Sequence, residues 1–339
     1  MEFPGEKLVI KLWETIADKG IGSLLKPWQI RREGRAFLDV RCDEMLALAQ
    51  VEIDTASIRG GHKLIKATGE LVDRATLPAP EELVARSGGS PLCLSYAIEV
   101  ADRNAKAEAI RQDISLAKAV IYAEKELQTD PSDPPQDEPQ DDWLIRWREC
   151  AAGVSSDELQ QIWGKVLAGE VKSPGRFSLR TLEFLRNLSQ AEAQAIERIS
   201  PFVINGVVYD GDNSMLEAEG VTFTDLLGMQ ELGVLAGVDA LGLQVTWNSV
   251  VTTSFQKTLT SHGVMVLVTG PDATKAITLK VCMVTTIGNQ VLRLGNFSPN
   301  QKMIESVAKA IEALGFEVLV GSYVDIGNDQ IQPFNLQPV

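Results

Sequence analysis

The sequence predicts an α+β protein, with an N-terminal helical region of long helices, a central small helical unit and a C-terminal antiparallel sheet with packed helices. Three observations carry this. Residues 95–127 contain neither proline nor glycine. Ser155 with Glu158 and Ser189 with Glu192 have capping-box spacing on either side of a glycine-proline joint. Val264–Val268 and Ile277–Val284 are apolar, β-branched runs of strand length.

At the N-terminus Leu8, Val9, Leu12, Trp13 and Ile16 share one helical face opposite Lys7, Lys11, Glu14 and Asp18. Gly20-Ile21-Gly22 breaks that helix before Leu24, Leu25, Pro27, Trp28 and Ile30, and Lys26, Arg31, Arg32 and Arg35 flank the apolar segment with only Glu33 opposing them. Such a segment suits packing inside a helical bundle. It also suits the interface of an anionic bilayer, where each basic residue contributes roughly 1 kcal/mol. Trp13, Lys26, Trp28, Arg31, Arg32 and Arg35 are therefore the candidate contacts for an anionic lipid surface or a protein partner.

Within 95–127, Ile98, Ala101, Ala105, Ala109, Ile110, Ile114, Ala117 and Ile121 form a narrow stripe on one long helix. Residues 28–59, with Phe37, Leu38, Met45, Leu46, Ala49 and Ile53, offer a comparable face. A helical hairpin or an oligomer seam follows, and a homo-oligomer is expected. Residues 60–91 hold Gly60-Gly61, Pro78, Pro80, Gly88-Gly89 and Pro91, which predicts short helices joined by turns. Residues 128–142 carry four prolines and six carboxylates without a basic or aromatic residue, which reads as a self-repelling linker. It sets an N-terminal helical domain (1–127) apart from a three-helix region (143–205) and an α+β domain (206–339).

In the three-helix region the Ser155 hydroxyl is expected to cap a helix starting at Ser156. Leu159, Ile162, Trp163, Val166 and Leu167 face inward on that helix, and Gln160, Gln161 and Lys165 face outward. Gly169 and Pro174-Gly175 end it. A second helix starts near Ser178, with Leu179, Leu182 and Leu185 inward, and a third runs from Ser189 to Pro201. Trp163–Glu170 reads W-x-K-x-L-A-G-E, Pro174–Leu182 reads P-G-x-F-S-L-R-T-L, and Asn187-Leu188-Ser189 follows. In these words the chain resembles a bacterial family known only as a domain of unknown function. The resemblance extends more loosely to Gly20-Ile21-Gly22 with Lys26-Pro27, to Arg111-Gln112 and to the C-terminal region. It implies a bacterial intracellular protein linked to anti-phage defence, without an established activity. Trp163, Glu170, Pro174, Gly175 and Arg180 are its structural motif residues, with Glu170 and Arg180 expected to pair across the joint.

Downstream, Thr224 is expected to cap a short helix through Leu232, closed by Gly233. Gly270-Pro271-Asp272 is expected to join the two apolar runs as a hairpin. Ser298 or Asn300 opens an amphipathic helix carrying Met303, Val307, Ile311 and Leu314, and Phe316–Val324 supplies a final strand. The short helix with the hairpin allows a winged-helix-like unit.

No catalytic residue, metal ligand or cofactor site is expected. The two histidines, His62 and His262, lie 200 residues apart, outside any metal-binding or nucleophile-base spacing. Thr269–Lys275 lacks the second glycine of a phosphate loop, and its proline removes an amide donor. Cys42, Cys93, Cys150 and Cys282 are unpaired in spacing, so reduced, buried thiols are expected. A net charge of -14 disfavours a general nucleic-acid binder. No apolar run approaches the roughly 20 residues of a spanning helix, and no signal-peptide pattern opens the chain. The expected location is cytoplasmic, peripheral at a membrane surface if lipid is bound. These readings converge on a non-enzymatic recognition or sensor protein acting with a separate effector. The alternative is a winged-helix-like nucleic-acid-binding regulator, weakened because residues 225–232 hold no Lys or Arg.

Overall fold

The computed structural model describes residues 3–18, 50–51, 53–60, 62–65, 71–73, 94–211, 213–238, 243–327 and 330–339. The chain divides into two compact units, Met1–Phe177 and Ser178–Val339.

The first unit is mainly helical. Helix α1 (Glu6–Asp18) buries Leu8, Leu12 and Ile16 as its spacing requires, and it packs on two later helices. Helical residues 53–59 follow, then a small antiparallel pair, β1 (Lys63–Ile65) and β2 (Leu71–Asp73). Helix α2 (Leu94–Leu127) is the long helix of the proline-free stretch, and α3 (Asp141–Ala152) and α4 (Asp157–Lys172) pack against it. The stripe on α2 is core only in its second half. Ile114, Ala117 and Ile121 are buried, whereas Ile98 is exposed.

Helices α2 and α4 meet at Gly164. A Cβ there would stand 2.5 Å from the Tyr122 Cβ and 2.8 Å from the Ala119 carbonyl oxygen, so a glycine is needed for this approach. Ala119, Val120 and Ala123 are fully buried beside it. Two buried indoles fix the flank. Trp147 Nε1 donates to the Trp163 carbonyl at 3.0 Å and Trp143 Nε1 to that of Phe177 at 2.7 Å, so large apolar rings are buried without orphaning their N–H groups.

Three expectations change here. Residues 128–142 are not a free tether between domains, because they lie within the first unit. The Gly5 amide donates to the Gln128 carbonyl at 3.0 Å, and Lys172, Lys7 and Lys11 pair with Asp130, Asp133 and Glu138 at 2.5, 2.6 and 2.9 Å. Lysines from sequence-distant helices pair with three of the six carboxylates that read locally as self-repelling. The cap of α4 is Ser156, whose side chain accepts from the Leu159 amide, and Ser155 stands one residue ahead of it. The buried face also differs from the expected one. Gln160, expected outside, is 1% exposed, and Leu159, expected inside, is 40% exposed.

The second unit begins with α5 (Leu179–Asn187), capped by Ser178, and α6 (Gln190–Ile199), which carries the expected Ser189–Glu192 capping box. Strands β3 (Val203–Ile204) and β4 (Val207–Tyr209) follow, then α7 (Asn213–Ala218) and α8 (Phe223–Glu231). Thr222, not Thr224, caps α8, in a capping box with Asp225. The remaining elements are β5 (Leu235–Ala236), β6 (Gln244–Asn248), β7 (Phe255–Ser261), β8 (Val264–Gly270), β9 (Ala276–Val284), α9 (Thr286–Leu292), α10 (Gln301–Glu312), β10 (Glu317–Gly327) and β11 (Gln330–Pro338).

The strands form two antiparallel sheets, so the α+β architecture holds. One has the order β11-β10-β8-β7; the other runs β3-β4-β9-β5, with β6 also paired to β9. The hairpin expected between the two apolar runs is absent, because β8 and β9 lie in different sheets. The hairpin partner of β8 is the polar strand β7, reached through His262-Gly263, both at positive φ (42° and 85°) as a type I′ turn requires, and β10 pairs with its other edge. The winged-helix reading loses the hairpin on which it rested. Helix α10 is capped by Asn300 and buries Met303, Val307 and Ile311 as expected, while Leu314 is exposed.

Gly164→Ala is expected to lower the unfolding free energy by about 1–3 kcal/mol, read as a reduced urea midpoint at constant slope. An unshifted midpoint would show that the two helices separate without cost. Ser156→Ala should cost about 1 kcal/mol through loss of the cap, with Ser155→Ala within about 0.5 kcal/mol of wild type. Equal losses in the same unfolding experiment would return the cap to Ser155.

Candidate functional site

The first unit contains a two-chambered pocket whose lining comes from three places in the sequence. Helix α2 supplies Asn104, Glu108, Arg111 and Ser115, spaced four, three and four residues apart and hence on one face. Residues 53–59 contribute Thr55 and Arg59, again four apart. The α3–α4 joint contributes Gly153, Ser155 and Gln160. The outer chamber has a volume of about 630 Å³ and the inner one about 130 Å³. Arg59, Arg111 and Ser155 line both. The outer chamber is in the range of small-molecule sites, roughly 300–1,000 Å³, whereas the inner one admits only a chemical group.

Charge in this pocket is concentrated on three side chains. Arg111 donates from Nε and Nη2 to the two oxygens of Glu108 at 2.9 and 2.5 Å, a bidentate fork, and Arg59 Nη2 lies 3.6 Å from the same carboxylate. Gln112 adds a fourth contact at 3.1 Å. The Arg111 hydrogen bonds, with Gln112 and the charges of both arginines, hold the Glu108 carboxyl down at about 2 against a smaller burial effect. Glu108 therefore stays ionised, and two cations against one anion leave the site positive. Behind the arginines sit Ser115, 2% exposed, and Gln160, 1% exposed, whose Oε1 has no hydrogen-bond partner among the described residues. An orphaned buried amide oxygen costs about 1–3 kcal/mol, which a bound polar group would recover.

The motif residues serve the turn after α4. Glu170, 2% exposed, accepts from the Gly175 amide at 2.6 Å and the Phe177 amide at 3.0 Å, with the Arg176 amide also directed at it. Its partners are thus main-chain amides rather than Arg180, which stands exposed on α5. Burial pushes the Glu170 carboxyl above the usual range, opposed by these amides and by the Arg176 charge. Gly175 is at φ 84° with nothing near a Cβ, so its backbone conformation, not space, calls for glycine. Pro174 is half-buried beside it, and Trp163 is 1% exposed in the core. These residues build the fold and do not line the pocket.

Trp13, proposed as a surface contact, is 8% exposed and packs within the first unit. Its apolar helix face is turned inward against later helices, which removes it from any adhesive surface. Lys26, Trp28, Arg31, Arg32 and Arg35 lie outside the described residues. No described helix is long and apolar enough to cross a membrane. Among the described residues, no group of three or more His, Cys, Asp or Glu could hold a metal ion. Cys150 and Cys282 are buried and not joined in a disulfide, and burial, with the Asp210 charge, pushes the Cys282 thiol up to about 11.

The second unit has a cleft of about 720 Å³ where two hairpin turns meet, Asn205-Gly206 and His262-Gly263, all four residues at positive φ. His262 Nε2 donates to the Ser200 carbonyl at 2.8 Å, which places its ring proton there. Gln290 accepts from the Ser178 amide and Thr181 hydroxyl, and Asn289 donates to the Val284 and Thr285 carbonyls. Most of the polar side chains here hold the backbone of this unit together.

A family model described as a protein of unknown function (DUF2806) matches residues 100–308, more than half of the chain. The chain belongs to that family. The DUF2806 match contains Asn104, Glu108, Arg111, Ser115, Ser155 and Gln160, and also the Glu170 turn; Arg59 precedes it. No curated protein and no solved structure matches the chain.

Sequence reasoning missed this pocket, although one signal was present. Asn104, Glu108, Arg111 and Ser115 form a polar stripe on α2 beside the apolar one. Gln160 had no such signal, because an amide side chain reads as surface and its burial follows from the packing of α4 on α2.

The raised Glu170 carboxyl has a definite consequence for stability. The folded state holds this proton more tightly than the unfolded chain. Its contribution is therefore present below the ordinary value of 4.5 and lost as pH rises through the elevated folded value. Urea unfolding of wild type and Glu170→Gln across that range is expected to show the wild-type advantage shrinking as pH increases. A difference independent of pH would contradict the burial account.

Proposed function

We propose that this protein is a non-enzymatic recognition protein that takes a small anionic ligand between Arg59 and Arg111, against the buried amide of Gln160. The observation that carries this reading is the convergence of the Arg111 fork and the Arg59 guanidinium on one carboxylate position in the pocket lining, beside the buried Gln160. Guanidinium, hydroxyl and amide groups recognise anions by directed hydrogen bonds. The single carboxylate in the lining, held down at about 2, is a weak base near neutral pH and ill-suited to proton transfer. In the defence setting that the resemblance implies, the chain would act as a sensor, with the effector chemistry on a separate protein. The lipid version of this proposal is weakened by the burial of Trp13, and the pocket supplies a different route to recognition.

Thermal unfolding of the full chain with sulfate or citrate, at ionic strength matched with chloride, tests the reading. A ligand bound only by the folded state raises stability by RT ln(1 + [L]/Kd), about 2.7 kcal/mol at a hundredfold excess over Kd. The midpoint is expected to rise with anion concentration in wild type and in Arg293→Ala, a change in the other unit, and to stay flat in Arg59→Ala/Arg111→Ala. The same rise in the double variant would place the binding elsewhere.

A further inference from the structure

Resting on that reading of the pocket, we infer that its ligand is a phosphomonoester and that Glu108 is an internal stand-in for it, which the ligand's phosphate displaces from Arg111 and Arg59. Glu108 occupies both donors of the Arg111 fork and approaches Arg59 at 3.6 Å, as the head of a bound anion would. It does so from the solvent side, with 44% of its side chain exposed, so it can swing away without opening the core. The groups behind it are not satisfied by the swap partner. Among the described residues Gln160 Oε1 remains without a donor, and Ser115 and Ser155 also line the inner chamber.

The identity of the resident group restricts the visitor. A dissolved carboxylate offers the same two oxygens as Glu108 and must compete with a carboxylate tethered at high effective concentration. A phosphomonoester carries a charge of about -1.5 to -2 and three terminal oxygens, enough to engage Arg111 and Arg59 together. The Gln160 amide oxygen then faces a phosphate hydroxyl or a donor on the ester. Arg59 and Arg111 line both chambers, so a phosphate in the place of the Glu108 carboxylate sits where the two meet, with the inner chamber of 130 Å³ behind it and the outer one of 630 Å³ left for the body of the ester. That one ligand chemistry has two sources, a soluble phosphate ester and a phospholipid headgroup.

Calorimetric titration of the full chain with inorganic phosphate, glycerol phosphate and acetate tests both parts, and flotation with vesicles containing phosphatidic acid separates the sources. Wild type is expected to bind phosphate and glycerol phosphate but not acetate. Glu108→Gln should tighten phosphate binding on the order of tenfold, because the apparent constant is divided by the fraction of open sites. Asp102→Asn, which removes the same charge from the same helix but leaves the fork intact, should change nothing. Gln160→Leu, close in size and apolar, should weaken phosphate binding while the thermal midpoint without ligand is kept. Equal phosphate affinity in wild type and Glu108→Gln, or equal gains in Glu108→Gln and Asp102→Asn, overturns the stand-in while leaving the pocket reading in place. Acetate binding as tight as phosphate overturns the phosphomonoester. Failure of every anion, sulfate and citrate included, removes the pocket reading itself. Flotation with phosphatidic acid without binding of glycerol phosphate assigns the headgroup; binding of glycerol phosphate assigns the soluble ester.

Discussion

The first unit depends on how closely α2 and α4 approach at Gly164. With no Cβ on that residue, α4 lies directly on the Ala119–Ala123 segment of α2, at distances a larger side chain could not tolerate. Dispersion and apolar burial reward such an approach in proportion to the atoms brought into contact. The pocket inherits its geometry from this contact. Gln160 is one turn before Gly164 on α4 and Ser115 one turn before Ala119 on α2, so the same approach closes the polar floor behind the two arginines. A polar amide there is a local loss of stability that the apolar contacts one turn away can bear.

Glu170 extends this logic to the end of α4. A carboxylate shut away from water is unfavourable unless donors surround it, and the amides that follow Pro174-Gly175 supply them. The chain must therefore double back at a fixed angle, which brings the Phe177 carbonyl to the Trp143 indole. The spaced words of the motif are in this sense a description of one turn. Trp163 anchors the helix before it, Glu170 collects its amides, and Gly175 takes the left-handed backbone conformation it needs.

What the sequence made legible follows from the range of each physical signal. Local signals were read well: the α2 helix from its composition, the Ser189 capping box, the Asn300 cap and the inward face of α10. The α4 cap failed because Ser155 and Ser156 are adjacent, and the Glu158 that favoured Ser155 is exposed instead of reaching back. Gln160 was read as outward because its side chain is polar, and the close packing of α4 on α2 one turn away at Gly164 buries it and hid the candidate site. The sheets failed for a different reason. Strand β7, Phe255–Ser261, is too polar to stand out, so the two apolar runs were joined to each other although each pairs elsewhere. The acidic segment looked detached because the lysines that hold it are more than 40 residues away in sequence.

A net charge of -14 and a two-arginine pocket are compatible because exposed charges act over short distances. At physiological salt the screening length is about 8 Å, so carboxylates on distant surfaces contribute little to the potential at Arg59 and Arg111. The nearest groups decide. Two guanidinium groups facing one another repel, and an empty pocket holding only them would tend to spread. Glu108 removes that repulsion in the unliganded protein, and its exposure keeps the ion pair shallow, since pairs at the surface contribute about 0–1 kcal/mol. A deeply buried pair would have locked the site. A pair at its mouth instead keeps the arginines positioned and exchangeable, which is the arrangement a recognition site requires.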